Sequence, residues 1–390
     1  MNTQLTVPEN ARAAEARHLV QVYAQLGIEP VSAAGVHIQC RDRQILDLYG
    51  GHAVAGLGYA HPAILQTLNE QAELLMFQSN VVALEVRARA ADKLAAFAPT
   101  GLDHVFFVNT GAEANENALR IALKHTGRDR ILAIEHGFHG RSAAAGAVTW
   151  GAAQKWYGFP RTPFDVAFIG RNDSTAAQEM INGDTAAVIV ELVQGMAGAY
   201  ELGREFAETL AGRCAETGAL LIVDEVQSGM GRSGHPFAAD AYQIKPDLLT
   251  VAKSLGAGFP CGAVLMTSEI AAKLGTGDLG TTFGGGPLAC ALIETVIDEI
   301  IGSDLMENVR AVSAALVNAL PAGPVKSAQG MGFLIGLRCS APAKLVRDGL
   351  LERGILVGTS ADPAVIRLIP PLVLDQPHIE ELIDALIDMG

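Results

Sequence analysis

Two short apolar runs, residues 219–223 and 248–251, each lead to a charged side chain: Asp224 closes the first, and Lys253 follows the second by two positions. In a parallel α/β sheet, ligands sit outside the carboxyl ends of the strands. A carboxylate and an amine at two such ends would therefore face one crevice. Lys253 stands between an apolar strand and the glycine-rich turn SLGAGFP, and partial burial there would lower its pKa and make imine chemistry accessible. Asp224, at the end of a buried strand, needs a partner. A structural Asp–Lys ion pair would meet that need equally well, so these two residues alone leave the catalytic and structural readings level.

A third feature tips the balance. The stretch from Val108 to Asn115 (VNTGAEAN) joins a strand directly to a helix. Thr110, Gly111 and Ala112 thus offer a hydroxyl and free backbone N–H groups at a helix N-terminus, where the dipole favours a phosphate. A plain Thr N-cap would use the same residues. Phosphate cradle, strand-end carboxylate and strand-end lysine together match what pyridoxal phosphate demands: an anchor, a partner for the protonated pyridine nitrogen, and an amine for covalent attachment. Lys253, once displaced by substrate, would be the general base that moves a proton between the substrate carbon and the cofactor.

Two other motifs fall away. Gly229-Met-Gly-Arg-Ser-Gly234 has GxGxxG spacing, but charged residues separate it from the preceding strand and Pro236 stands where a helix should run. Lys253-Ser254 is preceded by Ala252, so the glycine of a P-loop is missing. The first is a loop, and nucleotide phosphate transfer loses its main support.

The elements that must position these residues alternate. From residue 105 the pattern is strand, helix, strand, helix, through apolar runs at 105–108, 131–135, 166–169, 187–193, 219–223, 248–251 and 263–266. That pattern predicts a mainly parallel α/β sheet covered on both faces. Helices are expected at 61–76, 84–97, 112–125 and 206–217, and a short hairpin at 36–48. Residues 1 to about 30 read as a helix, with Leu19, Val22, Tyr23 and Leu26 at helical spacing before Gly27. The segment LDLYGGHAVAGLGYAHPAI is too glycine-dense for regular structure and brings backbone close to a ligand or a second subunit; packing alone explains it as well. His52 and His61 within it share that ambiguity, and His61, before proline, reads as a turn residue. After Pro287 come helices at 288–301, 304–320 and 342–353 with strands at 333–337 and 365–369. Residues 1–50 and 288–390 would form a smaller α+β domain beside a large domain at 51–287.

Bulk properties exclude other classes. The chain has 390 residues, 49% hydrophobic and 18% charged, with a formal charge of −14, and no Lys/Arg cluster to meet nucleic acid or an anionic membrane. Cys40, Cys214, Cys261, Cys290 and Cys339 lack CxxC spacing, which argues for buried free thiols rather than a zinc site or disulfides. With no signal pattern and no membrane-length apolar run, a cytoplasmic protein without metal is expected.

The motifs NTGAEANENALR, EHGFHGRS, LLIVDEVQSGMGRSG, PDLLTVAKSLGAGFPCGAVL, GTTFGGGPLAC and VIRLIPPLVL occur in order from about residue 35 to 375. Together they resemble the class III pyridoxal-phosphate aminotransferases, most closely the acetylornithine/ornithine branch. The resemblance implies a fold-type I homodimer with a seven-stranded sheet. It implies that Lys253 holds the cofactor, Asp224 pairs with its pyridine nitrogen, Gln227 meets its phenolic oxygen, and Phe138 and Val226 flank the ring. Thr110, Gly111 and Ala112 would hold the phosphate, joined by Thr282 from the other subunit. Arg141 and Arg367 would bind substrate carboxylates, with Glu191 and Met196 also at the substrate.

One departure concerns Met196. In VELVQGMAG, residues 190–198, Met196 and Leu192 replace the Glu and Pro common in the family. That Glu pairs with the second arginine, so Arg367 should stay unpaired and desolvated here unless a substrate carboxylate answers it in both half-reactions, or the donor carries an added acyl group that fills the space. The activity implied is transfer of the terminal amine of N2-acetylornithine or N2-succinylornithine to 2-oxoglutarate, in arginine biosynthesis. Ornithine, 4-aminobutyrate and β-amino acids are alternative donors; an aminomutase, a decarboxylase and a non-catalytic binding protein are the rival readings.

Overall fold

The computed structural model describes residues 11–390. Its central sheet has seven strands in the order His104–Val108, Gly262–Met266, Leu248–Val251, Leu220–Asp224, Thr185–Val190, Arg130–Ile134, Asp165–Ile169. All pairings are parallel except those of Gly262–Met266, which runs antiparallel to both neighbours. Thr185–Val190 is buried at every residue, as a strand covered by helices on both faces must be. Separate apolar clusters fill the two sides: Ala118, Ile121 and Ile222 belong to one, Phe206, Leu210 and Val223 to the other. The expected α/β architecture is present.

Strand register places the chemistry. Asp224 lies opposite Thr250, while Val108 and Val251 lie opposite Gly262 and Ala263. The carboxyl ends at Val108, Val251 and Asp224 therefore share one sheet edge. The helix Gly111–Thr126 starts at that edge and turns an inner face of Ala114, Asn115, Ala118, Leu119 and Ala122 to the core. Gly127, at φ 68°, ends it in the left-handed conformation that suits glycine.

The two chain ends meet in a second sheet. The hairpin His37–Cys40 and Gln44–Asp47 forms as expected, and Ile355–Leu356 adds to it parallel to Gln44–Asp47. A third, antiparallel sheet carries Arg367 in Val365–Leu368, opposite Gly336 on one side and Gly358 on the other. Arg232, fully buried in the GxGxxG loop, donates to the carbonyls of Phe333 and Pro370 and so ties that loop to the C-terminal part of the chain.

The N-terminal helix is a correction. Helix is present only over Ala11–Ala16, residues 17–29 are irregular, and the part expected before residue 11 lies outside the described residues. Leu19, Val22 and Tyr23 are exposed: their helical spacing meets no apolar surface, and a short helix without tertiary packing is marginal.

Residues 50–53 hold an unexpected geometry. Gly50, Gly51, His52 and Ala53 have φ of 55°, 57°, 66° and 69°, a complete left-handed turn. Val54 N–H donates to Gly50 O at 2.8 Å across it. For the non-glycine residues His52 and Ala53 such a conformation costs about 1–2 kcal/mol each. Asp47 holds the turn at its start, accepting from the N–H groups of Tyr49 and Gly50 at 2.7 and 3.0 Å. Gly50 is required as well, since a Cβ there would lie 2.7 Å from the carbonyl oxygen of Ile369.

Candidate active site

At the shared strand edge lies a cavity of about 630 Å³ whose wall includes Thr110, Gly111, Ala112, Phe138, Arg141, Glu191, Met196, Asp224, Val226, Gln227 and Lys253. Eleven residues singled out from sequence thus meet in one place. Lys253 opens a short 3₁₀ turn with φ 49°, a strained conformation of the kind that collects at functional positions. It is half-buried. Desolvation pushes its amine below the ordinary lysine range, Asp224 and Glu191 opposing that shift and Arg367 and Arg232 adding to it.

Asp224 does not pair with Lys253. Its Oδ2 accepts from Asn115 Nδ2 at 2.7 Å and lies 2.8 Å from His139 Nδ1, and its Oδ1 accepts from Val226 N–H at 3.0 Å. Thr250 Oγ1 donates to Asn115 Oδ1 at 2.7 Å, fixing which way the Asn115 amide faces. Asn115 and His139 lie inside motifs read from sequence but carried no assigned role there. Asn115 comes four residues after Gly111, which puts it on the inner helix face and was the available signal.

Glu191 is buried and accepts from Phe138 N–H at 2.8 Å. Burial raises its pKa, with Asp224 pushing the same way and His139, that N–H and Lys253 opposing. Thr110 caps the helix, accepting from Glu113 N–H at 3.1 Å, which is the N-cap that the sequence also allowed, and Thr110, Gly111 and Ala112 all line the cavity. Close approach of the turn requires Gly111, because a Cβ there would stand 2.6 Å from Val226 Cγ1. Arg141 lies 4.8 Å from the centre of the Trp156 ring.

Two of the residues named from sequence are not in this wall, one of them, Thr282, having been expected in the other subunit's site. Thr282 is exposed and outside the cavity wall of this chain, and Arg367 sits behind the wall rather than in it. Arg367 is 1% exposed; its Nε donates to Thr359 O at 2.8 Å, its Nη2 to Tyr49 Oη at 2.9 Å, and its Nη1 has no partner. Arg367 is thus desolvated and, among the described residues, in no ion pair, as expected in the absence of the glutamate; a carbonyl and a hydroxyl take two of its N–H groups. Tyr49 and Met196 both stand near this region, Met196 in the cavity wall itself.

His52 and Tyr23, which sequence reading left undecided or assigned to a helix, also line the cavity. Neither carried a local signal, since one depends on a left-handed turn and the other on an irregular segment.

The aminotransferase class-III family model matches residues 22–389. The chain belongs to the class III aminotransferases. This aminotransferase is 36% identical to the acetylornithine aminotransferase of Methanocaldococcus jannaschii, with 97% of each chain covered. It is 36% identical to that of Bacillus subtilis, over 94% of this chain and 96% of the relative. Among solved structures it resembles the ornithine aminotransferase of Toxoplasma gondii, with TM-score 0.91, 27% identity, and 97% and 94% of the two chains covered. It also resembles the acetylornithine aminotransferase of Elizabethkingia anophelis, with TM-score 0.86, 26% identity, and 97% and 98% covered.

The aminotransferase is pyridoxal-phosphate-dependent, and its cavity fits that cofactor. An amine without an ion-pair partner, a carboxylate with three fixed neighbours and a helix N-terminus surround one space, with Phe138 and Val226 in its wall. Among the described residues no group of three His, Cys, Asp or Glu could hold a metal, and no helix is long and apolar enough to cross a membrane. All five cysteines are buried and free.

Proposed function

We propose that this aminotransferase transfers the terminal amine of N2-acetylornithine or N2-succinylornithine to 2-oxoglutarate, giving the N-acyl-glutamate 5-semialdehyde and glutamate. The observation that carries this reading is near end-to-end similarity to acetylornithine aminotransferases. The amine, carboxylate and phosphate turn, all present in one cavity, support it.

Pyridoxal phosphate, when bound, supplies an electron sink for the carbon that loses a proton. Lys253 moves that proton at the carbon bearing the donor's amine; its lowered pKa keeps a larger neutral fraction near neutral pH. Asp224 holds positive charge on the ring nitrogen, and Asn115 and His139 hold Asp224. Gln227 meets the phenolic oxygen. Thr110, Gly111 and Ala112 bind the phosphate, with Thr282 of the partner subunit completing the cradle in a homodimer. Arg141 engages a substrate carboxylate, and Arg367 adds positive charge from behind the wall. On this reading residues 51–287 bind the cofactor, and residues 1–50 and 288–390 form the smaller domain.

Met196 supports an acylated donor, because the wall offers an apolar side chain in place of the carboxylate that pairs with the second arginine in the family, and an added acyl group can fill that space. Glutamate formation from 2-oxoglutarate with acetyl-, succinyl- and unmodified ornithine tests this in wild type and Met196→Glu. Wild type should favour the acylated donors and the variant should shift toward free ornithine. Unchanged relative rates would remove Met196 from the argument, and no glutamate from any ornithine would refute the substrate assignment.

A further inference from the structure

The left-handed turn at 50–53 presents one side chain to the cavity, that of His52. Behind it runs a hydrogen-bonded chain whose polarity is fixed at its far end. A guanidinium can only donate, so Tyr49 Oη accepts from Arg367 Nη2 at 2.9 Å. The hydroxyl's single proton is then directed to His52 Nδ1, 2.8 Å away. With Nδ1 accepting, the neutral ring carries its proton on Nε2. Partial desolvation and the charges of Arg367 and Lys253 lower its pKa, which favours the neutral ring. No described residue takes the Nε2–H.

The turn is held in place by groups that belong to the site. Ser254, next to Lys253, donates from Oγ to Ala53 O at 2.6 Å, and Asp47 grips the other end. A strained conformation kept by contacts from both sides is a reason to look for a role in the side chain it aims.

We propose that His52 is a substrate-binding residue whose Nε2–H donates to a carboxylate oxygen shared by the amino-acid and oxo-acid substrates. Tyr49 and Arg367 act as positioning residues behind it. Arg367 then reaches substrate through the tautomer it imposes rather than by direct contact alone. This rests on the aminotransferase reading for the identity of the ligand, but its test does not need turnover.

The experiment titrates the cofactor-loaded enzyme with glutarate, a non-reacting dicarboxylate, by calorimetry. Two variants separate the ring nitrogens: in His52→Asn the side chain reaches only the place of Nδ1, whereas in His52→Gln an amide N–H stands near the place of Nε2. Asparagine also tolerates left-handed backbone, which protects the fold. His52→Asn should weaken glutarate binding about tenfold, in keeping with loss of a hydrogen bond to a charged group. His52→Gln should stay within about threefold of wild type, and Tyr49→Phe should fall between, since only the tautomer control is lost. Cofactor absorbance should match wild type throughout, and melting temperature should match in both His52 variants, whereas Tyr49→Phe also strands a buried Arg367 N–H and should melt lower. Wild-type affinity in His52→Asn, equal losses in both His52 variants, no glutarate binding by wild type, or losses in the His52 variants that track a changed melting temperature would each overturn the proposal. Glutarate binding that behaves as expected in an enzyme making no glutamate would count against the substrate assignment and leave His52 standing.

Discussion

Asp224 has every near neighbour supplied by a different element: Asn115 from a helix, His139 from a loop, and Val226 from its own turn. Removing one should therefore disturb stability and chemistry together. Asn115→Ala strands the Thr250 hydroxyl and takes a donor from Asp224. Urea unfolding should show a loss of about 1–3 kcal/mol, and glutamate formation should slow more than Thr250→Val slows it. Glu225, one residue on, is buried against Ser228 Oγ and Ala239 N–H, and burial pushes it up to about 7. Between its ordinary carboxylate range and that value, the folded state keeps a proton that the unfolded chain has released. Its contribution is thus present at low pH and lost as pH rises through about 7, with a slope of up to about 1.4 kcal/mol per pH unit. Unfolding free energies at pH 5 and pH 8 should differ less in Glu225→Gln than in wild type.

The turns between elements carry the site more than the elements do. Gly111→Ala would press a methyl group against Val226, 2.6 Å from Cγ1. Because overpacking of this kind costs about 1–3 kcal/mol, cofactor retention on dialysis should weaken by about tenfold or more while the helix signal in circular dichroism stays. The strands and helices of the central sheet were legible in sequence because each is an apolar run bounded by polar turns, as at residues 219–223 and 248–251. The cavity residues were legible because Asp224, Lys253 and Thr110 sit at strand ends. Three things were not. Tyr23 kept helical spacing but no surface to pack on. The direction of Gly262–Met266 depends on its neighbours, not on its own residues. The Arg367–Tyr49–His52 chain joins positions that lie 318 and 3 residues apart, so no local pattern contains it.

For the whole molecule, one group of exposed apolar side chains belongs to the segments beside the Thr282 loop: Leu74, Met76, Val81 and Phe283 are 80%, 68%, 88% and 66% exposed. Phe77 and Phe283 stack with ring centres 5.3 Å apart. Such a patch rarely faces water, and the proposed homodimer, in which Thr282 joins the partner's cradle, offers it a cover. Complementation checks this. Lys253→Ala and Thr282→Val homodimers should both be poor enzymes, yet hybrids of the two should regain activity, because one of their two sites has an intact Lys253 and receives an intact Thr282. Mixed dimers no better than their parents would place Thr282 in its own subunit's site or in none.

Arg232 restricts how far the C-terminal part can move from the loop that holds it. It lies wholly out of water, faces no carboxylate, and is bound to carbonyls at Phe333 and Pro370. A swing of the C-terminal part away from the cavity would strip those carbonyls from a buried cation, at a cost of several kcal/mol. Arg232 therefore holds the C-terminal part to the GxGxxG loop and, through Ser254 Oγ, to the turn that carries Lys253.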